Sequence, residues 1–364
     1  GQDKAAQYIA GILEKTSGIQ PKGTNGWFQE FTFKYNKNPH DTAVGNAEER
    51  KGKNIVAYLD NGAENTIVIG AHYDHLGLGH DHNSMDANPE GKIHNGADDN
   101  ASGSAGLLEL ARYYAGNNRK EKYNILFIWF SGEELGLFGS KKYCEKPTID
   151  LSKVNYMINL DMIGRYESSK GLAVSGTGTA PVWEPLLKSL SSEKLIIKTD
   201  SSGVGPSDHT SFYLKNIPVL HFFTGSHSDY HKPTDDWDKI NYAGEAEILR
   251  VIVKVIESPE TQNKLAFLTT KNKSMTPRSS FKVTMGVMPS YTAEVVGLRV
   301  DGVSEGKPAQ KAGILAGDII TKLGVYEVKD IETYMEALGQ FDKGQSITVQ
   351  VKRGAEVKDL TVTF

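Results

Sequence analysis

Nine of the ten histidines fall in two windows, 72–94 and 209–231, and only His40 stands outside them. Aspartates and glutamates crowd the same windows, and both windows open at or beside the end of an apolar run. Imidazole and carboxylate together make a ligand set that suits zinc. Polar loops also collect His and Asp for reasons of solvation alone, so the local spacings have to decide. His72-Tyr73-Asp74 follows the run Thr66 to Ala71, which brings His72 out at a strand end. Residues two apart on an extended chain share a face, which lets Asp74 hold the other ring nitrogen of His72. Asn95-Gly96-Ala97-Asp98-Asp99-Asn100-Ala101-Ser102-Gly103 then precedes an apolar helical pattern. One acid caps a helix; two in succession exceed that need.

Ser131-Gly132-Glu133-Glu134 follows the apolar run Ile125 to Phe130. Adjacent side chains of an extended segment point to opposite sides, so one carboxylate can bind a metal while its neighbour faces the metal's water. Asp161 ends the run from Val154 and needs a cation or strong donors, because burying an unpaired carboxylate is costly. A fifth piece, Asp229-Tyr230-His231-Lys232-Pro233-Thr234-Asp235-Asp236, follows the run Pro218 to Phe223. Each piece supplies a hard or borderline ligand at a strand end. Together they point to a metal centre. His80, His82 and His94 read as solvated loop histidines rather than extra ligands.

The elements that must position these groups are legible as patterns. Residues 3–16 carry apolar positions at helical spacing, as do Ser104 to Tyr114, Val182 to Leu190 and Glu245 to Ile256. Phe31, Phe33 and Tyr35 alternate with polar neighbours, as in a half-buried strand. Apolar runs Ile55 to Leu59, Thr66 to Ala71, Ile125 to Phe130, Val154 to Leu160 and Pro218 to Phe223 read as sheet-filling strands. Strands and helices in rough alternation imply a layered α/β domain with its active groups just beyond the carboxyl ends of strands.

Composition changes at Ser258. Residues 258–280 hold four basic and one acidic side chain and two prolines, the texture of a linker between a domain at 1–257 and another at 281–364. The last segment carries short β-like pieces (Lys282 to Val287, Gly297 to Val303, Asp318 to Leu323, Ser346 to Lys352, Leu360 to Phe364) and two helical ones (Pro308 to Ala312, Ile331 to Leu338). A small, partly open β barrel fits that pattern.

At 364 residues, and about 150 per domain, two or three domains are expected. The 38% hydrophobic and 24% charged content excludes a disordered chain. A net charge of −4 argues against wrapping nucleic acid or riding an anionic membrane, and no apolar run reaches the ~18 residues of a span. Cys144 is alone, which excludes an internal disulfide framework and a thiolate cluster. The opening Gly-Gln-Asp-Lys shows no basic-then-apolar leader.

His72-x-Asp74, Gly96-Ala97-Asp98-Asp99-Asn100, Gly132-Glu133-Glu134, Asn159-Leu160-Asp161 and Tyr230-His231-x-x-x-Asp235 resemble, in order and context, the co-catalytic di-zinc aminopeptidases of peptidase family M28. Ser207-Asp208-His209 before Ile217-Pro218 is similar to that family too. The resemblance covers residues 1 to about 257. Residues 281–364, with the Pro-Ala…Ala-Gly…Ala-Gly-Asp run between Val303 and Leu323, resemble a PDZ domain of the bacterial periplasmic-protease type.

The resemblance implies a three-layer α/β zinc-exopeptidase domain with a mixed sheet, followed by a β-rich PDZ-like domain. It implies two zinc ions per chain bridged by Asp98, with His72 and Asp161 completing one site and Glu134 and His231 the other. Glu133 would be the general base of a metal-bridging water, Asp74 the orienter of His72, and Tyr230 an oxyanion-steadying group; the Asp98–Asp99 peptide is often cis in that family. The implied activity is removal of the N-terminal residue from peptides with a free N-terminus, with Asp161 and Glu133 anchoring the α-ammonium, in an exported, periplasmic or extracellular setting.

Several rivals have weaker support. A glutaminyl cyclase shares the fold, and a carboxypeptidase or dipeptidase relative would use an arginine such as Arg165. The chain could also be a non-catalytic PDZ protein, its Met285-Gly286-Val287-Met288 loop holding a peptide carboxylate. No Gly-x-Ser-x-Gly elbow and no His-Glu-x-x-His helix occurs.

Overall fold

The computed structural model describes residues 1–35, 48–81, 83–270, 283–289, 295–303 and 306–364, so His40 and His82 lie outside the described residues. Nine strands form the first sheet: β1 (Ile19–Pro21), β2 (Phe28–Tyr35), β3 (Glu48–Leu59), β4 (Thr66–His72), β5 (Asn124–Phe130), β6 (Val154–Leu160), β7 (Leu172–Ser175), β8 (Ile197–Asp200) and β9 (Val219–Phe223). Their order is β1-β3-β5-β4-β6-β9-β7-β8, with β2 paired to β3. The central strands β5, β4, β6 and β9 run parallel. β3 and β7 flank them antiparallel, so the sheet is mixed.

Why these runs form strands is plain from burial. Every residue of β4, β5 and β6 is buried, as expected for strands covered on both faces. Alternate residues feed different layers. Ile67, Ile69, Phe127 and Ile158 pack with helices α1 (Gln2–Glu14), α2 (Gly103–Gly116), α4 (Trp183–Leu190) and α6 (Tyr242–Glu257). Val68, Leu126, Ile128 and Met157 pack with α3 (Phe138–Glu145) and α5 (His209–Tyr213) on the other side. The result is three layers, helix–sheet–helix. Because four neighbouring strands are parallel, the chain leaves all of them at one edge, and there the site is assembled.

Residues 258–270 correct the expected linker: they are fastened to the first domain. Thr261 is fully buried, Lys264 Nζ donates to the Ser152 and Val154 carbonyls, and Leu268 N–H donates to Thr179 O. Residues 271–280 lie outside the described residues.

The second sheet contains β10 (Val287–Pro289), β11 (Leu298–Val303), β12 (Ile319–Leu323), β13 (Tyr326–Glu327), β14 (Ser346–Arg353) and β15 (Glu356–Thr363). It is antiparallel throughout, in the order β10-β11-β12-β14-β15 with β13 on β12. Its core also takes in α7 (Pro308–Lys311) and α8 (Ile331–Leu338). Asp330 and Thr333 close α8 with a reciprocal capping box. The strand expected from Lys282 to Val287 starts only at Val287, because Gly286 sits at φ +73, where an extended strand cannot continue. Among the described residues no helix is long and apolar enough to cross a membrane.

Candidate metal centre

His72 closes β4, and its ring Nδ1–H donates to the Asp74 backbone carbonyl at 3.1 Å. That bond fixes the tautomer and leaves Nε2 as a lone-pair donor. Nε2 lies 3.3 Å from Asp161 Oδ1 and 3.3 Å from Asp99 Oδ1. His231, on the loop after β9 at φ +55, is oriented the same way: Nδ1–H donates to Asn83 O at 2.9 Å. Its Nε2 faces the other Asp99 oxygen at 3.1 Å and Glu134 Oε2 at 3.0 Å. One carboxylate thus addresses both halves of the centre. Ligand atoms of His72, Asp99 and Asp161 fall within 4.8 Å of one another, as do those of His75, Asp99 and Glu134.

The bridging position corrects the sequence expectation, which gave it to Asp98. Asp98 is fully buried and turned away: Oδ1 accepts Gly164 N–H at 2.7 Å and Ser102 Oγ–H at 3.0 Å, and Oδ2 lies 3.1 Å from His227 Nε2. Neighbouring side chains on non-helical backbone diverge, and Asp99 has φ −107, ψ 89, so only one of the two acids can face the centre. The non-proline cis peptide is Asp99–Asn100, not Asp98–Asp99. Behind the pair, Asp235 Oδ2 accepts the amide hydrogens of both Asp98 and Asp99.

Asp74 also acts differently from expectation. Its carboxylate accepts the amide hydrogens of Glu133 at 3.1 Å and Glu134 at 3.3 Å, fixing the Glu-Glu turn, and stands 3.8 Å from His72 Nδ1. Burial raises its pKa to about 6, against the pull of His72. Burial, with Asp161 and Asp208 nearby, pushes Glu133 well above the carboxylate range despite His72. Burial and the Asp99 charge push Glu134 upward too, but His231 and His75 prevail and hold it at about 2.

His75 is a member of the cluster that sequence reasoning missed: Nδ1 meets Glu134 Oε1 at 2.8 Å. The His72-x-x-His75 spacing was its signal. His227, which holds Asp98, was missed as well. Tyr230 lines the site with its ring stacked on His231 at 3.9 Å. His80 is exposed as expected, but His94 corrects the expectation of a solvated loop histidine: it is buried and committed to Ser84 and the Lys92 carbonyl. Arg165, the candidate carboxylate reader of the carboxypeptidase alternative, pairs through Nη2 with Asp229 at 3.2 Å.

The cluster opens into a cavity of about 340 Å³ lined by His72, Asp99, Glu133, Glu134, Asp161 and His231, among others. Val287 and Pro289 of β10 line it too. Of the expected PDZ loop, Met285 is buried in the second core, Gly286 turns the chain, Val287 opens β10, and the Met288 side chain lies outside the described residues.

Comparison with known proteins agrees with this geometry. Residues 54–256 match the Peptidase family M28 profile, and residues 270–364 match that of a PDZ domain. A curated leucine aminopeptidase 2 from Trichophyton equinum is 31% identical over 189 residues, covering 49% of this chain and 35% of that protein. The chain therefore spans about a third of the length of that relative. A glutaminyl cyclase structure from Bacteroides thetaiotaomicron superimposes with a TM-score of 0.54 at 20% identity, covering 71% of this chain and 89% of that one. A Zn-dependent exopeptidase structure from Parabacteroides distasonis gives a TM-score of 0.53 at 17% identity, covering 71% and 90%. Both share the three-layer fold. With its family profile covering more than half of its length, the chain belongs to peptidase family M28.

Proposed function

We propose that the protein is a zinc aminopeptidase that removes the N-terminal residue of peptides, using two metal ions per chain. One observation carries the reading: a single buried carboxylate, Asp99, faces His72 with one oxygen and His231 with the other. The donor set fits zinc, since two tautomer-fixed imidazoles and three carboxylates converge with lone pairs inward. His72, Asp161 and Asp99 would hold one ion, and His231, Glu134 and Asp99 the other. When bound, such a pair supplies Lewis acidity, polarising a carbonyl and acidifying water.

The chain's own residues do the rest. Glu133 is in the cavity wall beside His72 and Asp161, its backbone pinned by Asp74, and serves as the proton acceptor that later returns the proton to the leaving amine. Its neighbour Glu134 is held by His75, which leaves the two adjacent carboxylates separate tasks. Spare carboxylate oxygens on Asp161 and Glu133 are the anchors for the substrate α-ammonium. An exported setting is part of the proposal.

The test is a panel of aminoacyl-amides and dipeptides with zinc-loaded protein, beside N-blocked controls and the Glu133→Gln variant. Expected are cleavage of free N-termini only, and a variant that keeps both metals while kcat falls at least about a hundredfold. Cleavage of blocked substrates, or substantial turnover by the variant, overturns the reading.

A further inference from the structure

His209 is completely buried in α5, lines the cavity, and has no hydrogen-bond partner on either ring nitrogen among the described residues. A buried polar group without a partner is expensive and calls for an explanation. His221, from β9, stacks on it with ring centroids 4.4 Å apart and planes within 10°. Asn159 Nδ2 donates both to His221 Nδ1 at 3.1 Å and to Ser207 Oγ at 2.8 Å. The first bond places the His221 proton on Nε2, and the second occupies an acceptor site of Ser207 while sparing its O–H. His221 and Ser207 line the cavity as well. A Cβ built on Gly205, also in the lining, would come within 2.7 Å of His209 Nε2, so the bare glycine lets the chain pack closely beside that nitrogen.

We propose that this end of the cavity is a specificity pocket in which His209, His221 and Ser207 bind an uncharged hydrogen-bonding N-terminal side chain, a carboxamide above all, in preference to an aliphatic one of equal length. The inference rests on the aminopeptidase reading above. A carboxamide offers an oxygen to the His221 Nε2–H and the Ser207 hydroxyl, and an NH₂ to the unpartnered nitrogen of His209. Met162, Pro206 and Phe223 supply apolar wall for the methylenes leading to it. An aliphatic side chain would leave three buried polar groups unpaired, the arrangement by which sites reject an isostere lacking the polar group. An acidic side chain meets no cation there: burial and the neighbouring ring hold His209 far below its usual range, and burial brings His221 to about 4. Asp161, Asp208 and Glu133 stand close by and oppose further negative charge.

The experiment compares kcat/KM for glutaminyl, asparaginyl, glutamyl, methionyl and leucyl amides on the zinc-loaded full chain, with calorimetric binding of free glutamine and methionine alongside. The wild type is expected to favour glutaminyl over methionyl amide, and glutamine over methionine, by at least about tenfold. His209→Phe and His221→Phe are each expected to bring that ratio below one. A wild type that prefers methionyl or leucyl amide, or a ratio unmoved in both variants, overturns the pocket. If no amide is cleaved, the aminopeptidase reading fails on its own, and the glutamine-to-methionine binding ratio still decides the pocket.

Discussion

His72 and His231 present Nε2 to the centre because Nδ1 of each is already donated to a backbone carbonyl, of Asp74 and Asn83 respectively. Preorganisation of this kind, rather than the mere presence of ligands, separates a metal site from a polar loop. The two acids at 98 and 99 divide the labour: Asp99 faces the ligands, and Asp98 anchors Gly164, Ser102 and His227 behind it. Asp98→Ala leaves the Gly164 amide unpaired and should lower unfolding free energy by about 2–4 kcal/mol in urea titrations. On the proposed two-metal reading its zinc stoichiometry should match the wild type's, and loss of one ion would restore Asp98 as the bridge. The sequence showed that two consecutive acids exceeded what a helix cap requires. Which one turns inward depends on a local backbone rotation that no spacing records. His221 went unnoticed for a related reason: a buried histidine in an apolar run resembles ordinary core, whereas His209 was visible only as part of the Ser207-Asp208-His209 triplet.

At the scale of elements, the parallel quartet β5-β4-β6-β9 does the positioning, since each strand ends where a functional loop begins. Those strands were legible because they are buried on both faces and therefore read as unbroken apolar runs. The four-residue strands β7 and β8 and the short helix α5 were not, because so few residues carry no period. Helix α6 carries a cost at its first turn, where burial, with Asp98 nearby, raises Glu245 from 4.5 to about 7. A carboxyl raised on folding favours the native state below its unfolded value and penalises it increasingly up to its folded value. Ionised Glu245 therefore weakens the protein above pH 7 and not at pH 4.5. Solvent contact trims a full value of roughly 3 kcal/mol to about 2. Glu245→Gln should accordingly raise the unfolding midpoint at pH 8 and leave it nearly unchanged at pH 4.5. The opposite pH dependence would refute the assignment.

Over the whole molecule, a peptidase domain of family M28 is followed by a PDZ domain whose first strand contributes Val287 and Pro289 to the cavity beside His72, Asp99 and His231. Residues 258–270, with the composition of a linker, are held to the first domain by Thr261, Lys264 and Thr270, so part of the connecting segment packs on that domain. Everything functional still depends on chain segments as distant as residues 72 and 231 meeting at one carboxylate. Anomalous diffraction from zinc-soaked crystals tests that most directly. Two peaks are expected, each about 2.0–2.2 Å from a different oxygen of Asp99, one beside His72 and Asp161 and the other beside Glu134 and His231. A single peak, or a pair centred on Asp98, would contradict the account.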